Sequence, residues 1–374
     1  MKLIYIANLR LPTEKAYGIQ IAKMCEAFAS EGLDVTLVYP FRKNQADGDI
    51  FSYYSVKENF RTKKIWALDF YFFGRLDKIA VNIKGIISAL SLFFYAVTQK
   101  ADIIYSRDEW PLYFLSLFKK NLLFEAHRFS KFRTFFYKRF KNINFKVVVI
   151  TKYLKEDFIK IGFRPENILV ASDGTNLSDF DIDISKQEAR VRTSLPVDKS
   201  IVMYAGHLFE WKGIDMLLET ARNTEIFFVF IGGTERDIKS FKQKAERLNN
   251  VLILGYKPHK EIPVYLKAAD VLVLPNSARE ERSRFYTSPL KLFEYMASKR
   301  PIVASDLPSL REVLDESNAI LAEPDNCKAF ANGIKKVINQ SRLAEELAGN
   351  AFQKVRNFTW GKRACKIIDF FGKI

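Results

Sequence analysis

Residues 286–306, which read YTSPLKLFEYMASKRPIVASD, combine a loop, a helix and a strand in a short span. Ser288 is a typical helix cap and Pro289 fits the first helical position, so the sequence predicts that a helix begins here. Pro301 ends that helix, and the apolar run 302–304 predicts a buried strand. The first backbone N–H groups of a helix have no partner within it, and they therefore attract an anion.

Two charged side chains follow each other on this predicted helix. Lys291 adds a positive charge beside the helix start, and Glu294, one turn further on, offers a carboxylate to sugar hydroxyls. A phosphate end and a hydroxyl end about 5 Å apart suit the diphosphate and ribose of a nucleotide. The same pair also fits a surface ion pair that stabilises the helix by a few tenths of a kcal/mol, and the helix alone leaves both interpretations open.

The composition indicates a folded protein with a strong positive charge. The chain has 374 residues, which is enough for two domains, and 48% of them are apolar. Its formal net charge of +16 predicts an anionic partner. The three cysteines lie far apart without zinc-type spacing, which indicates a reducing compartment and argues against a disulfide framework. Residues 1–7 predict a first strand and not a signal segment, so we expect a cytoplasmic protein.

Residues 128–146 carry seven Lys or Arg side chains, six phenylalanines and no acidic residue. This pattern is typical of a helix on an anionic membrane surface, so we expect a peripheral protein at the inner membrane face. For residues 128–146, a charged helix face that covers a core also fits. The aromatic-rich region 66–95 favours the same membrane partner. Nucleic acid is not expected, because no binding motif for it is recognisable. Residues 86–98 predict a helix, buried or at an interface, that is shorter than the roughly 20 residues that a bilayer requires.

Apolar runs alternate with helical patterns along the whole chain, which predicts α/β domains with parallel sheets. Strands are predicted near residues 3–7, 35–39, 102–106, 122–125, 147–151, 168–171, 201–205, 227–231, 251–254, 271–274, 302–304 and 319–321.

The domain boundaries follow from changes in composition. Residues 1–172 form the predicted N-terminal domain and residues 200–354 the predicted C-terminal domain. The polar, acidic segment 173–199 predicts the crossing between them, and residues 355–374 predict a final helix that returns to the first domain. Asp181 and Asp183 fit a solvated linker better than a metal site, and no metal is expected.

Glycine turns and basic side chains follow several predicted strands, at the edge where open α/β sheets bind ligands. Gly206 and Lys212 follow one strand and suit an anion. Gly232 follows the next strand, and Tyr256 with Lys257 follows a third. Lys212 is thus predicted to be a second phosphate-binding lysine, near the same sheet edge as Lys291.

Two residues in the first half of the chain are further candidates for the functional site. His127 follows a predicted strand, where an imidazole can exchange a proton near neutral pH or bind a hydroxyl, although a structural role fits as well. Gly18 precedes a helix predicted over residues 19–30 and would let a ligand approach the backbone, although a plain turn also explains a lone glycine. The G-x-G-x-x-G pattern is missing here, so an NAD site is not predicted.

The order of these motifs resembles glycosyltransferase family 4, most closely over residues 204–314. The turn 206–213 and the run 288–297, with 301–305 behind it, carry the resemblance, and 172–175 is similar to the family's crossing segment. The resemblance implies two Rossmann-like domains that face each other across a cleft, which is the type B glycosyltransferase architecture. It also implies a retaining, metal-independent, hexosyltransferase-like enzyme without a cofactor, which moves a sugar from a nucleotide-diphosphate sugar to a hydroxyl.

The resemblance assigns roles to individual residues. Lys212 meets the donor diphosphate with Lys291 as a second cation, Glu294 meets the ribose, and His127 is the active-site histidine near the transferred sugar. The loop around Tyr256 and Lys257 meets the base. The other expected donor-binding residues are Gly18, Gly206, His207, Gly232, Tyr286, Thr287, Ser288 and Leu290.

Two positions depart from the family pattern. His207 stands where an arginine is common, and Tyr286 stands where a first glutamate is common. These replacements keep two alternatives open, a non-catalytic nucleotide-sugar-binding protein of the same fold and a sugar-nucleotide epimerase. We expect a sugar or lipid-linked acceptor, or a surface polysaccharide, whereas the donor base, the sugar and the linkage stay open.

Overall fold

The structure is a computed structural model that describes residues 1–43, 48–69 and 76–372. The chain forms two compact units. One unit comprises Met1–Ser172 together with Trp360–Ile374, and the other comprises Asp173–Thr359. Each unit is built on its own parallel sheet, which confirms the predicted architecture of two Rossmann-like α/β domains.

The described residues of the first unit form seven parallel strands. They are β1 (Lys2–Ile6), β2 (Asp34–Pro40), β3 (Arg61–Ile65), β4 (Ile103–Ser106), β5 (Leu122–Ala126), β6 (Lys146–Val149) and β7 (Ile168–Val170). Their order in the sheet is β3-β2-β1-β4-β5-β6-β7. Its helices up to the end of this sheet are α1 (Ala16–Ser30), α2 (Ile50–Tyr54), α3 (Leu76–Thr98), α4 (Glu109–Leu115), α5 (Thr134–Asn142) and α6 (Lys152–Lys160).

Strand β3 was missed by the sequence prediction. It reads RTKKI, four of its five residues are exposed, and it pairs with β2 at one edge of the sheet. A strand at such an edge needs no apolar run, and its lysines discourage pairing with another chain. Apolar periodicity therefore does not reveal it.

Helix α3 is longer than the sequence predicted. It has 23 residues, and its segment Ala80–Thr98 is long and apolar enough to cross a membrane, with 33% of that segment buried in the unit. The prediction started only at residue 86 because Lys84 and Gly85 interrupt the apolar pattern. In the structure, Lys84 is buried and its ammonium group contacts the carboxylate of Asp69. Residues 70–75 of the aromatic-rich region lie outside the described residues.

The second unit contains six parallel strands. They are β8 (Ile201–Ala205), β9 (Phe227–Ile231), β10 (Val251–Gly255), β11 (Val271–Leu274), β12 (Ile302–Ser305) and β13 (Ile320–Ala322), in the order β10-β9-β8-β11-β12-β13. Its helices are α7 (Lys186–Arg192), α8 (Ile214–Arg222), α9 (Glu235–Ala245), α10 (Ile262–Ala268), α11 (Glu281–Phe285), α12 (Leu290–Ala297), α13 (Pro308–Arg311), α14 (Cys327–Asn339) and α15 (Ser341–Val355). The order reverses direction between β8 and β11, and open α/β sheets bind ligands at that point.

The segment 173–199 belongs to the second unit and is not the solvated crossing that its composition suggested. Phe180, Ala189 and Leu195 are buried in the hydrophobic core of this unit. The guanidinium group of Arg190 also pairs with the carboxylate of Asp270. The prediction rested on the many polar residues, and those residues surround the few apolar side chains that anchor the segment.

The last helix, α16 (Trp360–Gly372), belongs to the first unit. Arg363 is buried in it and donates hydrogen bonds to the backbone carbonyls of Ala171 and Ser172. At the other end, Lys146 donates to the carbonyl of Phe370 and lies 5.0 Å from the centre of that ring.

Candidate functional site

Glycine residues bring two backbone turns of the second unit together at the carboxyl edge of its sheet. Gly206 follows β8 with φ +145°, and Gly232 follows β9 with φ +108°. A Cβ atom on Gly232 would lie 2.5 Å from the carbonyl oxygen of Gly206, so no larger residue fits. Gly213 closes the loop, because a Cβ atom there would lie 1.8 Å from the carbonyl oxygen of Pro275. The loop 206–213 is therefore held in a fixed shape.

The side chain of Lys291 points into this turn. Its Nζ lies 3.6 Å from the ring centre of Tyr204, and it would lie 3.4 Å from a Cβ atom on Gly206. Nζ is buried and has no hydrogen-bond partner among the described residues. Burial and the nearby charge of Lys212 hold the pKa of Lys291 well below its usual range, although Glu294 opposes them. The ammonium form therefore requires an anionic partner.

Lys212 approaches the same place from the short 3-10 turn Glu210–Lys212. Its Nζ lies 3.9 Å from the ring centre of Trp211. Part of the side chain reaches solvent, but protein atoms surround the ammonium group, and this burial lowers the pKa of Lys212 to about 7. The charge of Arg282 lowers it further. The structure thus brings two destabilised ammonium groups close enough to repel each other.

Glu294 is not paired with Lys291. Both side chains are buried, and the carboxylate of Glu294 accepts a hydrogen bond from Nε2 of His259 at 2.8 Å. The interpretation as a surface ion pair is therefore wrong. His259 was missed by the sequence analysis, although it is one of three histidines and follows Lys257 by two positions.

The start of α12 differs from its prediction. The helix begins at Leu290, Pro289 occupies the capping position, and no side chain caps the helix. The hydroxyl of Ser288 instead accepts a hydrogen bond from the backbone N–H of Asp173 at 3.1 Å. The serine therefore fixes the preceding loop within the unit and leaves the helix N–H groups to another partner.

The other expected donor-binding residues of this unit occupy varied positions. The ring of His207 stacks on Phe209 with 5.0 Å between ring centres. Tyr256 is 51% exposed, and Nζ of Lys257 lies 5.8 Å from the ring centre of Tyr265. Just before α12, Thr287 is buried and Tyr286 is partly exposed, and Leu290, the first residue of the helix, is also partly exposed.

Asn276 is a further residue that the sequence analysis missed. It follows β11, next to β8 at the point where the strand order reverses. Its side chain is fully buried, and neither amide atom has a hydrogen-bond partner among the described residues. A lone asparagine carries no sequence signal, so only the sheet order reveals its position.

In the first unit, His127 follows β5, and its Nε2 lies 2.5 Å from Oε1 of Glu125. Gly18 does not lie in a loop, because α1 begins at Ala16. A Cβ atom on Gly18 would lie 2.1 Å from the hydroxyl oxygen of Tyr54. The hydroxyl of Tyr54 occupies this space, because it forms hydrogen bonds with the backbone of Thr13 in the loop before α1. A side chain at position 18 would displace it.

The site of the second unit can hold an anion with more than one negative charge and a polyhydroxyl group beside it. Residues 185–354 match the family described as Glycosyl transferases group 1. This matched segment lies within the second unit and covers less than half of the chain. The turn 206–213, the helix α12 and the pair of Glu294 with His259 all lie within this matched segment.

The relatives that the chain matches are named as glycosyltransferases, and the solved structures that it resembles share its fold. The chain is 27% identical to the alpha-D-kanosaminyltransferase of Streptomyces kanamyceticus over 49% of this chain and 47% of that protein. It is 25% identical to the putative teichuronic acid biosynthesis glycosyltransferase TuaC of Bacillus subtilis (strain 168), over 58% of this chain and 53% of that protein. The matches thus span about half the length of these relatives. The crystal structure of Anabaena Alr3699/HepE in complex with UDP and glucose has the same fold, with a TM-score of 0.77 and 18% identity over 100% of both chains.

Proposed function

We propose that the chain is a retaining glycosyltransferase of family 4 that transfers a sugar from a nucleotide-diphosphate sugar to a hydroxyl. One observation carries the proposal, which is the buried ammonium group of Lys291 beside Gly206, without a hydrogen-bond partner among the described residues. A buried cation of this kind costs folding free energy, and a diphosphate bound in the turn offsets that cost. The UDP in the HepE complex supports a uridine nucleotide as the first donor to test.

Sugar transfer requires mainly that the negative charge on the departing diphosphate is stabilised. Lys291 and Lys212 supply fixed positive charge to this leaving group, since fixed charges are the most effective stabilisers of developing charge. Glu294, oriented by His259, accepts hydrogen bonds from the ribose hydroxyls. We propose that these groups act without a metal ion, and that His127 contacts the transferred sugar.

Substitution of the two lysines tests the donor site. Lys212→Ala and Lys291→Ala each lower kcat by about 10²-fold or more, because each removes charge that stabilises the leaving group. Lys336→Ala, on the exposed side of α14, is the matched control and retains full activity. The assay measures nucleotide release and product formation with UDP-glucose and its GDP and ADP counterparts. Donor binding without turnover favours the non-catalytic alternative, and an isomerised donor in the absence of acceptor favours the epimerase.

We propose that the acceptor is lipid-linked or a surface polysaccharide and is met at an anionic membrane. The support is an aromatic surface on the first unit formed by Phe94, Phe118, Phe132 and Phe135, of which Phe132 is 99% exposed. Ring contacts join three of these residues, because Phe93 contacts Phe94, Phe118 and Phe114, and Trp110 contacts Phe114 and Phe135. Phe132 precedes Phe135 by three residues. Lys131 and Arg133 flank Phe132 in the sequence; Lys131 is exposed, and Arg133 pairs with Glu109. Apolar rings between cations suit acyl chains beneath anionic headgroups.

Vesicle binding tests the aromatic surface. The chain binds vesicles that contain phosphatidylglycerol and releases them at high salt, because the attraction to anionic lipid is screened. Replacement of Phe118 and Phe132 by serine weakens this binding, whereas Val191→Ser, at an exposed apolar position of the second unit, leaves it unchanged. Equal binding of the wild type to neutral vesicles, or no binding at all, contradicts the membrane proposal.

A further inference from the structure

A buried carboxylate lies behind His127. Glu125 is the fourth residue of β5 and is 1% exposed. Its Oε2 accepts a hydrogen bond from the hydroxyl of Tyr105, and its Oε1 faces three further groups. These are Nε2 of Gln20 at 2.9 Å, Nη2 of Arg363 at 2.8 Å and Nε2 of His127 at 2.5 Å.

The charge balance keeps this carboxylate ionised. Burial alone would raise the pKa of Glu125, but the guanidinium of Arg363 and the ring of His127 outweigh it and hold the pKa well below its usual range. Arg107 adds to this effect and binds the amide oxygen of Gln20 at 2.7 Å. An ionised carboxylate only accepts hydrogen bonds, so Nε2 of His127 carries the proton between them. The ring is thus fixed in both orientation and tautomer.

Arg363 is held in turn by the backbone just after β7. Its Nε donates to the backbone carbonyls of Ala171 and Ser172, at 3.3 and 3.1 Å, while its Nη2 holds Glu125. The arginine is 3% exposed and comes from α16, 238 residues after Glu125 in the sequence. A guanidinium group that bonds carboxylate and carbonyls at once is a rigid, planar clamp.

We propose that Glu125 is a positioning residue that holds the ring of His127 for sugar transfer, and that Arg363 of the last helix holds Glu125 for this task. The inference rests on the proposed function, in which His127 contacts the transferred sugar. The last helix then serves catalysis as well as folding. Its loss would lower turnover even where the donor domain still binds the nucleotide.

Kinetics of single and double variants test the proposal. Glu125→Gln keeps the shape of the side chain but removes its charge, and it lowers kcat by about tenfold or more while the Kd for the nucleotide sugar stays the same. In the His127→Ala background, Glu125→Gln lowers kcat no further, because it acts only through the ring. Glu109→Gln is the control, since Glu109 is a buried carboxylate of the same unit that pairs with Arg133 instead.

The ring N–H signal of His127 gives a readout that does not depend on activity. The chain has three histidines, so NMR of the ring nitrogens resolves His127 by comparison with the His127→Ala variant. We expect a slowly exchanging N–H at Nε2 that Arg363→Lys retains and both Glu125→Gln and Arg363→Met lose. If Arg363→Met does not fold, the Glu125→Gln variant alone decides the outcome.

The outcomes separate the two proposals. If His127→Ala lowers kcat and Glu125→Gln does not, the positioning role is wrong and the transferase stands. If Glu125→Gln lowers kcat equally in the wild-type and His127→Ala backgrounds, Glu125 acts independently of the ring and the inference is also wrong. If the wild type transfers no sugar from any donor, the proposed function fails, whereas the ring N–H signal still reports the contact between Glu125 and His127.

Discussion

We expect donor binding to take up protons, because both lysines of the proposed site carry lowered pKa values before the diphosphate arrives. The pKa of Lys212 is about 7, so at pH 8 only about 10% of this side chain is charged. The groups that face it are cations, namely Arg282 and Lys291. A bound diphosphate favours the charged form of each lysine and raises its pKa. The complex therefore binds more protons than the free protein, and affinity falls as the pH rises above 7.

The size of the proton uptake follows from the pKa of Lys212. At pH 8, Lys212 alone takes up about 0.9 proton per donor bound, and Kd rises by about tenfold per pH unit above pH 7. Burial also lowers the pKa of Lys291, so this side chain adds to the uptake when the diphosphate binds. Calorimetric titration with UDP-glucose in buffers of different ionisation enthalpy measures this uptake directly. The Lys212→Gln variant loses about one proton of uptake, and Lys336→Ala loses none.

A pH-independent Kd between pH 7 and 9, with less than about 0.3 proton taken up, would refute this reasoning. It would mean that the lysines are already charged in the free site, or that the diphosphate binds elsewhere. The Lys212→Gln result distinguishes these cases, since a donor bound elsewhere keeps its affinity in that variant.

Three further predictions concern the same unit. Lys291→Met removes a buried amine whose transfer from water opposes folding, so it raises the Tm of the free protein by about 2–4 °C for each kcal/mol gained while it abolishes transfer. An unchanged or lower Tm contradicts the burial cost. His259→Ala frees the carboxylate of Glu294 and weakens donor binding by roughly tenfold, whereas His259→Gln retains part of it, as donor titrations would show. Gly232→Ala lowers the free energy of unfolding by more than 1 kcal/mol in urea titrations, because its backbone is left-handed and crowded, whereas Gly349→Ala in the exposed face of α15 raises it by about 1 kcal/mol.

The sequence predicted most of the sheet and less of the site, and the reason is the range of the interactions. Local apolar runs identify buried parallel strands, so every strand except β3 was predicted close to its observed position. The glycine turn and Lys291 were also recognisable from local pattern. The contacts of Glu294 with His259 and of Glu125 with Arg363 join residues 35 and 238 positions apart, and no local pattern reports them.

Local rules also failed where a tertiary contact overrode them. Ser288 has the right chemistry for a helix cap, yet its hydroxyl binds the backbone of Asp173 instead. Gly18 has the freedom of a loop residue, yet it lies in α1 because Tyr54 needs the space beside it. In both cases a partner far along the chain decided the role of the residue.

A crystal structure with bound UDP tests the central claim most directly. We predict that Nζ of Lys212 and Nζ of Lys291 each lie about 2.7–3.2 Å from oxygen atoms of one diphosphate, which binds against the turn at Gly206. A nucleotide found with its diphosphate away from Gly206, or with either ammonium group directed elsewhere, would contradict it.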